Sequence, residues 1–329
     1  MLKVIPVEEA VGMALAHDIT EIVPGEHKGP AFRRGHIVRT EDIPKLLDVG
    51  KRHLYVMELE KDELHEEDAA RRLAQAAAGP NLTFTGPVEG RINLVADISG
   101  LLKIDTGLLY QFNALGDLML ATLPSNRYVR KGEVVAGTRT IPVVVKEDLV
   151  KKAEELCSGK PIVTIRPILQ KRVHLIVTGS EVYTDRIKDG FEPVVRRKLS
   201  EMGTELENKQ LAPDDPDAIA GLIKDSYEAG ADLILVSGGM SVDPDDQTPE
   251  GIRRSGANVE CHGFPILPGS MFLMAYLKDT PVLGLSGCVL HDPVTALDLL
   301  LPRLMAGERV NRSDILALGH GGLQGKHDH

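Results

Sequence analysis

The chain has 329 residues, which is more than one ordinary domain needs, and 43% of them are hydrophobic, enough for two or three buried cores. Aromatic residues make up only 4%, there is no tryptophan, and the formal net charge is −10. This composition argues against a stacking platform for single-stranded nucleic acid and against a basic surface for nucleic acid or anionic membranes.

The number and spacing of the cysteines and the length of the apolar runs predict the cellular compartment of the protein. Cys157, Cys261 and Cys288 are odd in number and far apart, which is typical of a reducing cytoplasm rather than of a disulfide framework. Charge begins at Lys3, and no run approaches 18 apolar residues. We therefore expect a cytoplasmic protein without a signal peptide or a membrane span.

The first 79 residues predict a mixed α/β region. A short strand, a helix-like run at 7–16 and a glycine-rich loop at 22–38 come first, and TEDIPKLLDVG at 40–50 has the start and stop signals of a short helix. HLYVMEL then predicts a strand, and 61–79 are strong helix formers that end where Gly79-Pro80 breaks the chain.

Residues 80–150 are predicted to form a β-rich domain. Its β-leaning runs, at 88–98, 116–124 and 132–145, are separated by glycine and proline. A helix over 147–159 and a connector follow, so 151–171 is predicted to be a linker.

From Val173 the pattern predicts a three-layer α/β domain over 172–307. Short apolar runs alternate with helix-forming runs, which indicates a mostly parallel sheet covered on both faces. The expected strands lie at 173–178, 204–212, 231–239, 258–264 and 281–287, and the expected helices at 193–202, 213–230 and 293–307. Residues 308–329 are predicted to be a flexible tail with little core potential.

Small polar residues follow three of these strands. In open α/β sheets, ligands bind outside the carboxyl ends of the strands, where glycines let backbone N–H groups approach an anion and hydroxyls add donors. Turn formation alone explains any single loop equally well, but the coincidence of three favours an anionic, phosphate-bearing ligand. The ligand-binding residues predicted in these loops are Thr178, Gly179, Ser180, Ser237, Gly238, Gly239, Ser241, Ser286, Gly287 and Cys288.

Three carboxylates follow the second of these loops. Asp243, Asp245 and Asp246 repel one another unless they are solvated or bound to a metal, and hard oxygen ligands suit Mg²⁺, so a magnesium site is predicted here. The alternative is that Asp246 caps a helix that begins near Pro249.

The run LILVSGGMSVDPDDQT resembles the signature of the molybdopterin-binding domain that molybdopterin molybdotransferases and molybdopterin adenylyltransferases share. Ser237, Gly238, Gly239 and Ser241 match its Ser-Gly-Gly-x-Ser, and Asp246 falls where its acidic stretch ends. TGSE at 178–181 and PDD at 213–215 resemble two further loops of this family.

The resemblance implies that the ligand is molybdopterin or its adenylylated form, with Mg²⁺ and molybdate near the acidic loop. It implies Asp246 and Glu181 as catalytic residues, and Pro268, Gly269 and Ser270 as further ligand contacts in the loop that resembles the family's Pro-Gly-Lys-Pro. A homo-oligomer and a client molybdoenzyme are the partners it implies.

The sequence departs from the family at four places, and the first is Ser180, which stands where the family has an acidic residue after its Thr-Gly pair. Ser270 stands where the family has a lysine, and Leu285-Ser286-Gly287-Cys288 stands where it has Leu-Pro-Gly-Asn, with residues inserted before Pro293-Val294. The Ser-Ala-Met-Asp-Gly stretch of molybdotransferases is missing. Cys288 and His291, three apart in the altered loop, either contact a metal or are a buried thiol and a surface histidine.

Three hypotheses about function follow. The first is a molybdotransferase-like enzyme of molybdenum cofactor biosynthesis that promotes molybdate insertion by positioning and electrostatics. The second, which the absent lysine and carboxylate favour, is a non-catalytic carrier or sensor of the cofactor. The third is a nucleotide pyrophosphatase that resembles the competence-damage protein family on the same fold.

Overall fold

The structure of the protein is a computed structural model that describes residues 2–23, 27–57, 60–88, 90–241, 243 and 246–324. The chain divides into two compact units. The first unit comprises residues 1–98, 102–125 and 129–166, and the second comprises 99–101, 126–128 and 167–329. Within the described ranges, no helix has the length and apolar character needed to cross a bilayer.

In its described residues, the first unit is built of short, mostly antiparallel strands, four α-helices and two short 3-10 helices. Its strands are β1 (Leu2–Pro6), β2 (Ile19–Val23), β3 (His27–Phe32), β4 (His53–Met57), β5 (Glu63–His65), β6 (Leu82–Val88), β7 (Arg91–Ala96), β8 (Gly100–Ile104), β9 (Leu118–Thr122), β10 (Tyr128–Val129), β11 (Val134–Thr140), β12 (Val144–Lys146) and β13 (Val163–Pro167). The end residues Gly100 and Leu101 of β8, Tyr128 of β10 and Pro167 of β13 fall in the residue ranges of the second unit. Its helices are α1 (Ile43–Asp48), α2 (Glu66–Ala77), α3 (Thr106–Asn113) and α4 (Glu147–Cys157). The sheets have the orders β1-β4, β2-β3, β5-β12, β6-β7-β11-β9 and β10-β8-β13.

A small core lies in the first 56 residues. Val7, Leu15, Leu46 and Leu54 are buried in it. The helix predicted at 7–16 is wrong: only Val7–Glu9 forms a single 3-10 turn. Gly12 follows this turn at a positive φ of 84°, a conformation that ends helical geometry.

A larger core of the first unit crosses the predicted domain borders. It joins Leu73 of α2, Leu94 of β7, Phe112 of α3, Val150 of α4 and Ile165 of β13. The apolar faces of α2 and α4 are too small to form cores of their own, so both pack onto the strands. Residues 66–77 and the predicted linker therefore share one core with the β-rich segment.

His65 connects the two cores of the first unit. Its ring is fully buried, its Nε2 is hydrogen-bonded to the carbonyl of Ala16, and its Nδ1 accepts the Glu67 N–H at 3.2 Å as the N-cap of α2. Burial, followed by the positive charge of Arg34, lowers the pKa of His65 to about 4.

We expect the His65→Gln variant to lose acid sensitivity. The unfolded ring titrates near 6.5 and the folded ring near 4, so the folded state binds fewer protons between these values. The contribution of the neutral His65 ring to the free energy of unfolding is therefore complete above pH 6.5. It falls by about 3 kcal/mol as the pH decreases towards 4. Glutamine keeps a neutral donor and acceptor. Urea unfolding between pH 7.5 and 4 should show a shallower loss in the variant, and equal slopes in both proteins would contradict the assignment.

The second unit contains one six-stranded sheet. Its strands are β14 (Val173–Thr178), β15 (Leu206–Ala212), β16 (Leu233–Ser237), β17 (Asn258–His262), β18 (Leu273–Leu277) and β19 (Thr280–Leu285), in the order β15-β14-β16-β19-β18-β17. Its helices are α5 (Ser180–Tyr183), α6 (Phe191–Glu201), α7 (Pro216–Glu228), α8 (Thr248–Arg254), α9 (Ala296–Met305) and α10 (Arg312–Ala317). The first four strands in this order are parallel and the last two pair antiparallel, which confirms a mostly parallel sheet.

Both faces of this sheet are buried. Leu175 and Leu235 face a core that contains α6 and α9, whereas Ile176 and Val236 face a second core that contains α7 and α8. Because side chains alternate along a strand, strands that are apolar at every position serve two cores at once. The predicted three-layer arrangement is confirmed.

Two parts of this unit differ from the prediction. Strand β18, an apolar run without internal turn residues, was not predicted. The tail predicted from 308 is wrong for its first part, because Val310 and Ile315 lie in the core and the Val310 N–H donates to the Tyr276 hydroxyl at 2.7 Å. Arg303 of α9 also ion-pairs with this segment.

Candidate functional site

The three predicted loops leave three neighbouring strands. Val177 of β14 pairs with Ser237 of β16, and Ser237 pairs with Leu285 of β19, all in parallel. The carboxyl ends of these strands therefore lie side by side at one edge of the sheet. This is the edge at which open α/β sheets bind their ligands.

A cavity of about 570 Å³ opens at this edge. It is formed by residues after β16, by the loop before β18, by residues after β19 and by the start of α6. The lining residues are Phe191, Gly238, Gly239, Met240, Ser241, Asp246, Leu267, Pro268, Gly269, Ser270, Met271, Ser286, Gly287, Cys288 and Leu290. Ten of them are residues that the sequence predicts for the site.

The Gly238-Gly239 turn needs both of its glycines. Their φ angles are +92° and +52°. A Cβ on Gly238 would lie 2.4 Å from the carbonyl oxygen of Thr178, and one on Gly239 would lie 3.0 Å from Oγ1 of Thr248. The backbone therefore packs directly on the end of β14, where no side chain fits.

Three glycines that line the cavity carry backbone donors that are unpaired within the described ranges. Among the described residues, the N–H groups of Gly238, Gly239 and Gly287 donate to no protein acceptor. Successive free N–H groups with hydroxyls nearby form an anion-binding concavity. A phosphate group is therefore the kind of ligand that this part of the cavity suits.

Thr178 and Ser237 support the turn from below rather than line the cavity. The Thr178 hydroxyl donates to the Ser237 carbonyl at 3.0 Å and shares a hydrogen bond of 2.9 Å with Thr248. Both side chains are buried, and the Ser237 hydroxyl has no hydrogen-bond partner among the described residues. Sequence alone did not separate this supporting role from ligand contact.

The rest of the first loop also lies outside the cavity lining. Gly179, Ser180 and Glu181 follow β14, and Ser180 and Glu181 are exposed. The Ser180 N–H donates to Asp214 at 2.7 Å, which ties this loop to the acidic turn before α7. Asp215 caps α7 by accepting from two of its N–H groups.

Asp246 lines the cavity and holds the second loop closed. Its Oδ2 accepts the Ser241 N–H at 2.6 Å, and its own N–H donates to the Asp243 carbonyl at 3.0 Å. The N-cap of α8 is Gln247, so Asp246 is not the cap of this helix. Asp245 lies outside the described residues. Within the described part, no three His, Cys, Asp or Glu side chains converge as a metal site.

Gly269 allows the loop before β18, which forms one wall of the cavity, to pack closely against helix α9. It has a φ of +128°, and a Cβ there would lie 2.7 Å from the Cβ of Ala296. Its neighbours Pro268 and Ser270 line the cavity on either side. The loop before β18 is therefore held close to the edge formed by the parallel strands.

Comparison with known proteins relates two segments of the chain to described families. Residues 174–306 match a family model described as a probable molybdopterin binding domain, and residues 4–58 match a domain of unknown function. A molybdopterin molybdenumtransferase of Synechococcus elongatus is 26% identical over 283 residues, with 75% of this chain and 69% of that protein covered. A CinA-like protein of Mycobacterium leprae is 34% identical over 87 residues, with 26% of this chain and 20% of that protein covered.

Among solved structures, the molybdopterin biosynthesis enzyme MoaB of Thermus thermophilus is 24% identical, with 42% of this chain and 98% of that chain covered and a TM-score of 0.37. Residues 174–306 belong to the molybdopterin-binding domain family. The resemblance noted in the sequence is thereby confirmed.

The molybdopterin-binding domain carries its altered loop at the cavity wall. Cys288 shares a hydrogen bond of 3.1 Å with Ser286, and burial raises the pKa of its thiol, which keeps it protonated at neutral pH. His291 lines a different cavity, beside Lys198 and Asp298. The two side chains therefore do not line one site.

The sequence did not predict the apolar lining of the molybdopterin-binding domain. Phe191, Met240, Leu267, Met271 and Leu290 contribute it. Met240 is anchored in the sheet, because its side chain lies over Gly284, where a Cβ would come within 2.8 Å of Cε. In a sequence, an apolar residue that lines a cavity looks the same as one in a core. For Met240, the one signal of a role at the site was its position within the Ser-Gly-Gly-Met-Ser motif.

Proposed function

We propose that the second unit binds molybdopterin, or its adenylylated form, in the 570 Å³ cavity and promotes the insertion of molybdate. The observation that carries this proposal is the turn at Gly238-Gly239, whose backbone N–H groups have no acceptor among the described residues and which lines a cavity that the loops of two parallel strands share. The family assignment of residues 174–306 supports it.

The size and lining of the cavity suit such a ligand. Small-molecule sites have volumes of about 300–1,000 Å³ and are mostly apolar with a few placed polar groups. Phe191, Met240 and Leu290 offer contact area for a planar ring system, and the backbone donors with Ser241 and Ser286 suit the phosphate. One cavity thus offers apolar groups for a ring system and polar donors for an anion.

Asp246 is the residue that we propose to position Mg²⁺. Its second carboxylate oxygen accepts no hydrogen bond from the described residues. Mg²⁺ is often held by one or two carboxylates together with substrate phosphates and water, so a three-residue cluster is not required. A bound magnesium ion would polarise the phosphoryl and molybdate oxygens. Glu181 does not line the cavity, and we propose Asp246 as the principal acid.

The test is turnover of adenylylated molybdopterin with Mg²⁺ and molybdate by the purified chain. Asp246→Asn keeps an oxygen acceptor for Ser241 and removes the charge, so we expect turnover to fall about 10²–10³-fold. Affinity for the pterin should change less than tenfold, because the backbone donors remain. Asp217→Asn, at an exposed carboxylate in the same unit, is the control. Unchanged turnover in Asp246→Asn would contradict the role of Asp246.

Two other functions remain as alternatives that the same assay separates. Tight pterin binding by the wild-type chain without turnover would favour a carrier that hands the cofactor to a client molybdoenzyme. The other alternative is the nucleotide pyrophosphatase that resembles the competence-damage protein family, and CinA-like proteins are among the relatives of this chain. Ligands raise the unfolding temperature of the protein that binds them, so stabilisation by nucleotides but not by pterins would decide for this alternative.

A further inference from the structure

A second cavity, of about 230 Å³, lies in the first unit. It is remote in sequence from the molybdopterin-binding domain. It is lined by His17, Asp18, Glu66, Glu67, Gly90, Arg139 and Val143. His17 and Asp18 belong to the segment that matches a domain of unknown function.

The walls of this cavity are fixed by hydrogen bonds. His65 joins the carbonyl of Ala16 to the first turn of α2, which places residues 17 and 18 beside Glu66 and Glu67. The Glu66 N–H donates to the Val143 carbonyl at 2.7 Å. These contacts bring β12, α2 and the start of the chain to one place, so the cavity is preformed.

Arg34 neutralises part of the acidic wall. Its backbone N–H donates to one oxygen of Asp18 at 2.7 Å, and its guanidinium donates to Glu67 at 3.2 Å. Asp18 accepts no other hydrogen bond from the described residues. Glu67 is therefore a paired carboxylate, whereas Asp18 keeps one oxygen for a ligand.

Glu66 is buried without an adequate partner. Its side chain is 9% exposed, it accepts no hydrogen bond from the described residues, and its nearest cation is Nη2 of Arg139 at 3.6 Å. Gly90 closes over it so tightly that a Cβ there would lie 2.3 Å from its Oε2. Burial raises the pKa of Glu66. Leaving a buried carboxylate without hydrogen bonds is costly, which indicates that a ligand supplies them.

The charge and geometry indicate what kind of ligand this is. Three carboxylates and one arginine line the cavity, so it attracts a cation. Within the described ranges these acids and His17 do not converge as metal ligands. A cation that spreads several N–H donors over a plane suits separated carboxylates better than a point charge does.

We propose that this cavity binds a compact organic cation of the amidinium or guanidinium class through the carboxylates of Glu66 and Asp18. Glu66 accepts the paired N–H groups of the planar cation, and the free oxygen of Asp18 accepts a further one. The site is independent of the pterin cavity, and its test uses no pterin.

The test is calorimetric titration of the full chain at pH 8 with benzamidine and with benzamide, its neutral counterpart of the same shape. We expect benzamidine to bind and benzamide not to bind. Glu66→Gln and Asp18→Asn should each weaken benzamidine binding at least tenfold, whereas Glu155→Gln, at an exposed carboxylate of the same unit, should not.

Two results would overturn the proposal. One is equal heat from benzamidine and benzamide, including none from either. The other is wild-type affinity in a folded Glu66→Gln or Asp18→Asn variant. Circular dichroism establishes folding. If Glu66→Gln fails to fold, Asp18→Asn decides alone, because asparagine keeps the acceptor for the Arg34 N–H.

Discussion

Replacing Gly238 by alanine is expected to weaken pterin binding more than tenfold and to destabilise the second unit by about 2–4 kcal/mol. The new Cβ would lie 2.4 Å from the Thr178 carbonyl oxygen and 2.8 Å from the Thr178 hydroxyl oxygen. Neither atom is at the end of a flexible side chain. The turn must therefore move, and its N–H groups no longer face the cavity.

Gly256→Ala is the matched control for this substitution. Gly256 has a φ of +88°, close to the +92° of Gly238, but a Cβ there would meet no atom within 4 Å. It should cost about 1 kcal/mol of backbone strain and leave pterin affinity unchanged. Urea unfolding and pterin fluorescence titration measure both quantities. Equal effects of the two substitutions would show that φ alone, and not the contact with Thr178, explains the loss.

Arg303→Leu is expected to destabilise the second unit by about 3–5 kcal/mol. The guanidinium is 7% exposed and donates to Glu308 at 2.8 Å and to Asp314 at 3.1 Å. Glu308 is itself only 9% exposed, so removal of the arginine takes a cation away from a buried negative charge. The segment that contains Val310 and Ile315 should loosen first.

Arg254→Leu provides the comparison for the buried pair. Arg254 also contacts two carboxylates, Asp217 and Glu250, but all three side chains are exposed. Exposed ion pairs contribute little, so its free energy of unfolding should stay close to that of the wild type. Urea unfolding measures both variants, and proteolysis followed by mass spectrometry locates the loosened segment. A similar small loss in both variants would contradict the importance of burial.

The sequence was sufficient to predict the parallel strands and their loops. Each of the runs at 173–178, 231–239 and 281–287 contains a short apolar stretch followed by small polar residues, a pattern typical of a strand buried between two cores. Because parallel strands end at one edge, the loops after β14, β16 and β19 were expected to share a site, and the loops after β16 and β19 line the cavity whereas the loop after β14 does not. The shared position of these loops follows from the parallel order of the strands and needs no knowledge of side-chain contacts.

The remaining features depend on contacts that a sequence pattern does not contain. Thr178 and Ser237 look like ligand donors in their loops, but a one-residue shift along a strand decides whether a side chain faces the ligand or the interior. Val310 is a single apolar residue in a polar stretch and Ile315 begins a run of only four apolar residues, and their burial depends on a surface supplied by α9 and β18. The first-unit core likewise joins helices and strands that lie far apart in sequence.

The contact between Met240 and Gly284 constrains how this domain can diverge. Sδ and Cε of Met240 occupy the space in which a side chain at 284 would begin. A larger residue at 284 is therefore tolerated only when position 240 becomes smaller, and a smaller residue at 240 enlarges the cavity floor. In an alignment of homologues, positions 240 and 284 should covary. Their residues should then reflect the size of the ligand that each homologue accepts.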